Sequence, residues 1–277
     1  MPIFTLIYLA RDALWKQEKP FYIESDPVEG LNGPRTNYIL EQHDVEIMPI
    51  RPSDSFDLDV HGFSVLKENT ELDLPTALSD PEQIEEAYTD QVAAILRRRF
   101  PQYRRLERID FVVRKRDERF PREEEDRVEG TLQQPAGVMH TDYSVEGATS
   151  HLHYTFPGNE EYFKGRDYDM LNVWRPLVGP NDDWPLAVCD YTSIDRQRDV
   201  IQADILYNVR IGENQILHHD PGHRYYYIPS QEPDDMFVFR NVDSSGKRPI
   251  SFHGSFHNPQ GKGPPRQSCE VRFVAFR

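Results

Sequence analysis

Three short stretches carry side chains able to ligate a metal or grip an anion. The first is Met139-His140-Thr141-Asp142-Tyr143. Residues two apart on a strand share a face, so His140 and Asp142 offer an imidazole nitrogen and a carboxylate oxygen to one point. A second histidine from a distant strand would complete the two-histidine, one-carboxylate set that holds non-haem iron(II) with positions left open. An HxD triplet alone is weak, because a solvated His–Asp pair at a strand end has the same spelling.

Three later groups compete to supply the second histidine. His151-Leu152-His153 has the alternation of a cupin-type pair but no acid at the short spacing that chemistry needs. His218-His219-Asp220-Pro221-Gly222-His223 is rich in ligands, yet its Pro-Gly marks a turn, where histidines are usually solvated. Phe252-His253-Gly254-Ser255-Phe256-His257 follows an apolar strand and precedes Pro265-Arg266-Gln267-Ser268, and is favoured for that reason. On a strand Arg266 and Ser268 share a face. A forked guanidinium beside a rotatable hydroxyl receives a carboxylate well, such as the far end of a metal-chelating diacid. The competing reading pairs Arg266 with Glu270 on the strand surface. Arg175 either meets a substrate or cosubstrate carboxylate, or stacks on an aromatic ring, or pairs with Asp190. Tyr143 either donates to a cosubstrate oxygen or packs in the core. Asn172 and Trp174 read as packing residues.

These residues need a rigid frame. Short apolar segments separated by turn residues predict strands at Ile109–Val113, Leu171–Trp174, Leu186–Asp190, Ile201–Tyr207, Tyr225–Ile228, Met236–Phe239, Ile250–His253 and Cys269–Phe276. Such a set closes most readily as a sandwich or barrel of jelly-roll type. Alternation also predicts strands around Val45-Glu46-Ile47 and Phe56-Asp57-Leu58-Asp59-Val60, and the opening MPIFTLIYLA reads as a strand rather than a signal peptide. One helix stands out, capped at Ser79-Asp80, with Pro81 in its first turn and Ile84, Ala87, Tyr88, Val92, Ile95 and Leu96 at helical spacing. Arg97, Arg98 and Arg99 suit its C-terminal dipole, a better account than steering of an acidic substrate.

The chain has 277 residues, a formal charge of −15 and two cysteines outside any CxxC pattern. That excludes a disulfide scaffold or zinc finger and fits a reducing cytosol. The negative surface makes nucleic acid and anionic membrane poor partners, and no apolar run is long enough to span a bilayer. The expectation is a cytoplasmic, mainly β (α+β) single domain over 1–277. Residues 1–105 would form an N-terminal strand and helix region, and 106–277 a jelly-roll core holding the metal.

Longer stretches resemble a known family. Thr36-Asn37-Tyr38, Asp59-Val60-His61-Gly62-Phe63, His140-Thr141-Asp142-Tyr143-Ser144, Asn172-Val173-Trp174-Arg175-Pro176-Leu177, Pro185-Leu186-Ala187-Val188-Cys189-Asp190, His223-Arg224-Tyr225-Tyr226-Tyr227 and Pro265-Arg266-Gln267-Ser268-Cys269-Glu270-Val271-Arg272 span nearly the whole chain. Together they resemble the fungal asaB-type hydroxylase/desaturase family, related to the bacterial cephalosporin 7-alpha-methoxylase component. The resemblance implies a double-stranded β-helix that uses iron(II), 2-oxoglutarate and O2 to hydroxylate or desaturate a C–H bond of a small molecule in secondary metabolism. It implies His140, Asp142 and His253 as iron ligands, with Arg266 and Ser268 holding the distal carboxylate of 2-oxoglutarate. The thirteen residues from His253 to Arg266 exceed the usual spacing, so Arg272 stands as a reserve anchor. His257 stands where relatives are expected to carry an acid or small polar residue; Gly254 and Pro259 should bend the chain away from the metal, so it reads as a substrate contact rather than a competing ligand. Two rivals remain: a jelly-roll binding protein without turnover, and a cupin-like metal enzyme that uses no 2-oxoglutarate. Specificity is expected from loops at Arg114–Glu129 and Arg196–Asp220, and the oligomeric state is open.

Overall fold

Every residue of Tyr168–Pro176 is buried, which a strand achieves only inside a sheet covered on both faces. The computed structural model, which describes residues 2–24, 34–121 and 132–277, places this segment at the centre of a five-stranded sheet. The strands in chain order are β1 (Ile3–Leu9), β2 (Phe21–Ile23), β3 (Leu40–Pro49), β4 (Phe63–Lys67), β5 (Arg105–Lys115), β6 (His140–Thr141), β7 (Tyr168–Pro176), β8 (Leu186–Cys189), β9 (Val200–Leu206), β10 (Ile211–Leu217), β11 (Tyr225–Tyr227), β12 (Asp235–Asp243), β13 (His253–Ser255) and β14 (Gln267–Phe276). The smaller sheet runs β4-β12-β7-β14-β5. The larger, nine-stranded one runs β1-β3-β11-β8-β13-β6-β10-β9-β2. Two facing sheets with strands exchanged along the chain form the expected jelly roll, and the N-terminal strands belong to both sheets.

Between the sheets lie Phe63, Trp174, Leu186, Val188, Phe237 and Phe239. The outer face of the smaller sheet is closed by helix α3 (Glu82–Arg99), which buries Tyr88, Val92, Ile95 and Leu96. Each such side chain removed from water contributes about 1.5–3 kcal/mol. Arg98 and Arg99 both pair with Glu68 at 2.7 Å, a surface role.

Several expectations need correction. Ser79 does not cap α3. It ends a separate helix, α2 (Leu74–Ser79), capped by Asp73, and α3 starts after Pro81 without a side-chain cap. Phe56–Val60 is no strand, because Asp57 accepts from the Asp59 amide and opens the one-turn helix α1 (Leu58–His61). A polar alternation with a side-chain acceptor at its head serves a turn as well as a strand. The strand expected at Ile250–His253 begins at His253 instead. Arg196–Asp220 is mostly not loop: it holds a short helix, α5 (Arg196–Asp199), then β9 and β10. Of Arg114–Glu129, Arg114 and Lys115 belong to β5, and residues 122–129 lie outside those described.

Candidate metal and cosubstrate site

His140 and His253 face each other as direct partners of adjacent antiparallel strands, β6 and β13. Paired residues of such strands project to the same side, and their ring centroids stand 4.6 Å apart. Strand β6 has two residues and is clamped between β13 and β10. The close approach depends on Gly254, where a Cβ would meet the Met139 sulfur at 2.9 Å and the Gly137 carbonyl oxygen at 3.0 Å.

Asp142 lies two residues after His140, just past the strand. Ser144 caps helix α4 (Val145–Thr155), its hydroxyl accepting from the Gly147 amide at 2.9 Å. Gly147 packs on β10 so tightly that a Cβ would sit 1.9 Å from the Glu213 carbonyl oxygen. The turn into this docked helix aims the carboxylate at the two imidazoles. Asp142 Oδ1 lies 3.4 Å from His140 Nε2 and 3.8 Å from His253 Nε2, and the three ligand atoms fall within 4.8 Å of one another. Ligands at about 2.1 Å on adjacent octahedral positions are about 3 Å apart, so these atoms draw together to share one ion.

The surroundings prepare each ligand atom. His140 Nδ1 is 2.7 Å from the Val138 carbonyl, which only an N–H can satisfy, leaving Nε2 as the lone-pair donor. Burial pushes the His253 imidazole down to about 3, so it stays neutral and ready to ligate. Burial alone would raise the Asp142 carboxyl, but the Arg272 guanidinium outweighs it and holds it well below the usual carboxylate range. Its Oδ2 accepts from Asn241 Nδ2 and Arg272 Nε at 2.9 Å each and from Asn172 Nδ2 at 3.2 Å. The donor set, two imidazole nitrogens and one carboxylate oxygen, suits iron(II).

Arg266 lies 2 % exposed, its guanidinium 4.9 Å from the Trp174 ring centre. Nε donates to Ser268 Oγ and Nη1 to the Trp184 carbonyl, both at 3.1 Å. Its side chain makes no ion pair among the described residues. The rival partner Glu270 goes instead to Arg114 at 3.0 Å and Arg272 at 2.7 Å. Burial, then repulsion from Arg114, pushes the Arg266 guanidinium down to about 9. A buried cation beside a hydroxyl and lacking a carboxylate is the receptor that a dicarboxylate cosubstrate needs.

Arg272 is placed differently from Arg266. All three of its guanidinium nitrogens pair with carboxylates, Asp142, Asp110 at 3.0 Å and Glu270, so its charge is already matched within the protein. Arg175 points to the opposite side of β7, toward α3, donating to the Tyr88 hydroxyl at 2.7 Å and the Pro233 carbonyl at 2.9 Å. Of its three readings, stacking on an aromatic ring describes it. Tyr143 packs among Ala148, Leu152 and Met170 with its ring 5.1 Å from His151. His257 is exposed, its ring 5.4 Å from that of Trp184 and outside the metal-competent group.

The remaining histidines have structural places. His151 and His153 belong to helix α4, where residues two apart do not share a face. His218 and His223 are buried, contrary to the expectation for a turn: His218 Nδ1 meets the Leu9 carbonyl at 2.7 Å and His223 Nε2 meets Asp199 at 3.1 Å. Asn172 is likewise no mere packing residue, since it bridges Asp142 and Glu270 at 3.2 Å each. Asn241 was missed altogether. It sits where the β12–β7 register shifts between Arg240 and Val242, an irregularity that turns its amide onto Asp142.

Comparison with known proteins agrees with this geometry. A family model described as an oxidoreductase/YMDC permease-like domain matches residues 6–276, although no described helix is long and apolar enough to cross a membrane. The chain is 28% identical to the Fe(II)/2-oxoglutarate-dependent dioxygenase nvfI of Aspergillus novofumigatus, over 98% of this chain and 95% of that protein. It is also 28% identical to a hydroxylase/desaturase of Cercospora beticola, over 80% of this chain and 72% of the relative. A solved iron and alpha-ketoglutarate-dependent endoperoxidase, NvfI, superposes with a TM-score of 0.80 at 25% identity, covering 99% of this chain and 97% of the other. These relatives are the fungal group that the motifs resemble.

Proposed function

Because the chain belongs to this oxidoreductase/YMDC permease-like family, we propose that it is an iron(II)- and 2-oxoglutarate-dependent dioxygenase. It hydroxylates or desaturates a C–H bond of a small molecule in fungal secondary metabolism. The observation that carries this is the convergence of His140, Asp142 and His253 within 4.8 Å of one another, in a jelly roll that also buries the Arg266 guanidinium. We assign the iron to those three residues, and the distal carboxylate of 2-oxoglutarate to Arg266 and Ser268. When bound, iron and 2-oxoglutarate supply the oxidation of a C–H bond by dioxygen.

The chain's own residues bind, orient and keep water away. His140 and His253 present their ring nitrogens. Asp142 neutralises part of the metal's charge. Arg266 fixes the cosubstrate's far end, and the aromatic residues Phe239, Trp174 and Phe237 keep the interior dry. Phe239 stands 4.3 Å from the His253 ring and limits its rotation. Residues 1–277 act as one unit, in the cytoplasm, with neither nucleic acid nor membrane as a partner.

The test is succinate release from 2-oxoglutarate, with iron(II) and air present, as candidate small molecules are screened. Metal-dependent succinate formation supports the reading. A jelly-roll binding protein, or a metal enzyme that does not use 2-oxoglutarate, would form none.

A further inference from the structure

Building on that oxygenase reading, we propose that Arg272 is a positioning residue which, with Asn172 and Asn241, decides how Asp142 ligates. The three side chains occupy Oδ2, so Asp142 offers the metal Oδ1 alone, and the positions needed by the cosubstrate and dioxygen stay open.

A carboxylate oxygen has about two lone-pair sites. Oδ2 of Asp142 has three donors, Asn241 Nδ2 and Arg272 Nε at 2.9 Å and Asn172 Nδ2 at 3.2 Å, and is saturated. Among the described residues, the polar groups paired with Oδ1 are the two imidazoles. The carboxylate is therefore divided into a held oxygen and a free one.

Each donor is itself anchored, so the division is rigid. The Arg272 fork is pinned at Nη1 by Asp110 and at Nη2 by Glu270. Glu270 in turn accepts from Arg114 at 3.0 Å and Asn172 at 3.2 Å. Asn241 holds Asp142 twice, because its Oδ1 also accepts from the Asp142 amide at 3.2 Å. Pairing a buried carboxylate needs only a cation. A clamp on one oxygen from three sides, one of them a register shift in β12, is more than neutralisation requires.

The consequence follows from coordination geometry. Three single-atom ligands on one face of an octahedron leave three positions, two for a chelating keto acid and one for dioxygen. A carboxylate free to turn can place both oxygens on the metal, and it then removes one of those positions. Loss of the clamp should thus weaken cosubstrate binding more than metal binding.

The experiment measures manganese(II) affinity and then 2-oxoglutarate affinity at saturating manganese for Asn241→Leu, Asn172→Leu and Arg272→Lys. The charge-transfer absorption of the anaerobic iron(II)–2-oxoglutarate complex serves as a second readout. Metal affinity should fall by no more than about tenfold, the mild end of losing an outer partner of a ligand. The affinity of the metal-loaded protein for 2-oxoglutarate should fall a further ~10- to 100-fold, as for a lost hydrogen bond to a charged group, with the absorption weakened to match. The two asparagine variants leave the charges intact and decide the question even if Arg272→Lys does not fold. A folded variant that binds 2-oxoglutarate as tightly as wild type at saturating metal overturns the proposal. A metal-loaded wild type that binds no 2-oxoglutarate overturns the oxygenase reading itself.

Discussion

Replacing Arg266 by Met keeps most of the side-chain volume and removes the charge, and its effects on folding and on cosubstrate binding should separate. In the ligand-free protein the guanidinium is 2 % exposed and its pKa is pushed from 12.5 down to about 9. At 1.36 kcal/mol per pKa unit that depression amounts to about 4–5 kcal/mol of cost for burying the charge. Against it stand the hydrogen bonds to Ser268 and the Trp184 carbonyl, about 1.5–3 kcal/mol each, and the contact with Trp174. The terms nearly cancel, so the Tm of ligand-free Arg266→Met should stay within a few degrees of wild type. Cosubstrate binding has no such compensation. A dicarboxylate whose distal end loses its buried partner forfeits about 3–5 kcal/mol, roughly two to more than three orders of magnitude in Kd. The assay is a thermal shift in manganese(II) with increasing 2-oxoglutarate. Ligand at a hundred times Kd stabilises wild type by about 2.7 kcal/mol, and the variant should show no shift at that concentration. An equal shift in Arg266→Met would refute the assignment of this arginine.

His140→Ala should abolish both stoichiometric iron binding, measured by metal analysis after gel filtration, and succinate formation, because two ligands cannot replace the triad. His257→Ala should keep its iron and its substrate-independent 2-oxoglutarate turnover, since this ring lies exposed against Trp184; loss of iron there would move the ligand assignment. The third prediction concerns acid and the metal-free protein. His253 stays neutral in the folded state down to about 3, whereas in the unfolded chain it takes a proton near 6.5. Between those values the unfolded state binds more protons, so this contribution is complete above about pH 6.5 and is lost as pH falls toward 3. Urea unfolding with a chelator present should show the stability advantage of wild type over His253→Gln shrinking between pH 7 and pH 5, and an unchanged difference would contradict the depressed pKa.

The sequence by itself determined much of this protein. Alternating apolar segments predicted its strands, and the spacing of His140 and Asp142 marked a candidate ligand pair, although Asp142 lies past β6 and is aimed by the turn into α4. The Arg-x-Ser spacing also put Arg266 and Ser268 on one side, which a period of two makes legible. Local pattern fails where the partner is remote. His253 becomes the companion of His140 only because β13 and β6 are neighbours in the sheet, 113 residues apart in the chain. Arg266, just before β14, and Arg272, within it, share a chemistry. Their roles diverge because Asp110, Asp142 and Glu270 converge on one of them and no described carboxylate pairs with the other. Phe56–Val60 shows the same limit from the other side, since an alternation that fits a strand was taken into a turn by the Asp57 cap. Asn241 carries no signal at all: a register shift between two strands aims its amide at Asp142, and such shifts arise from how whole sheets fit together, which only the tertiary structure decides.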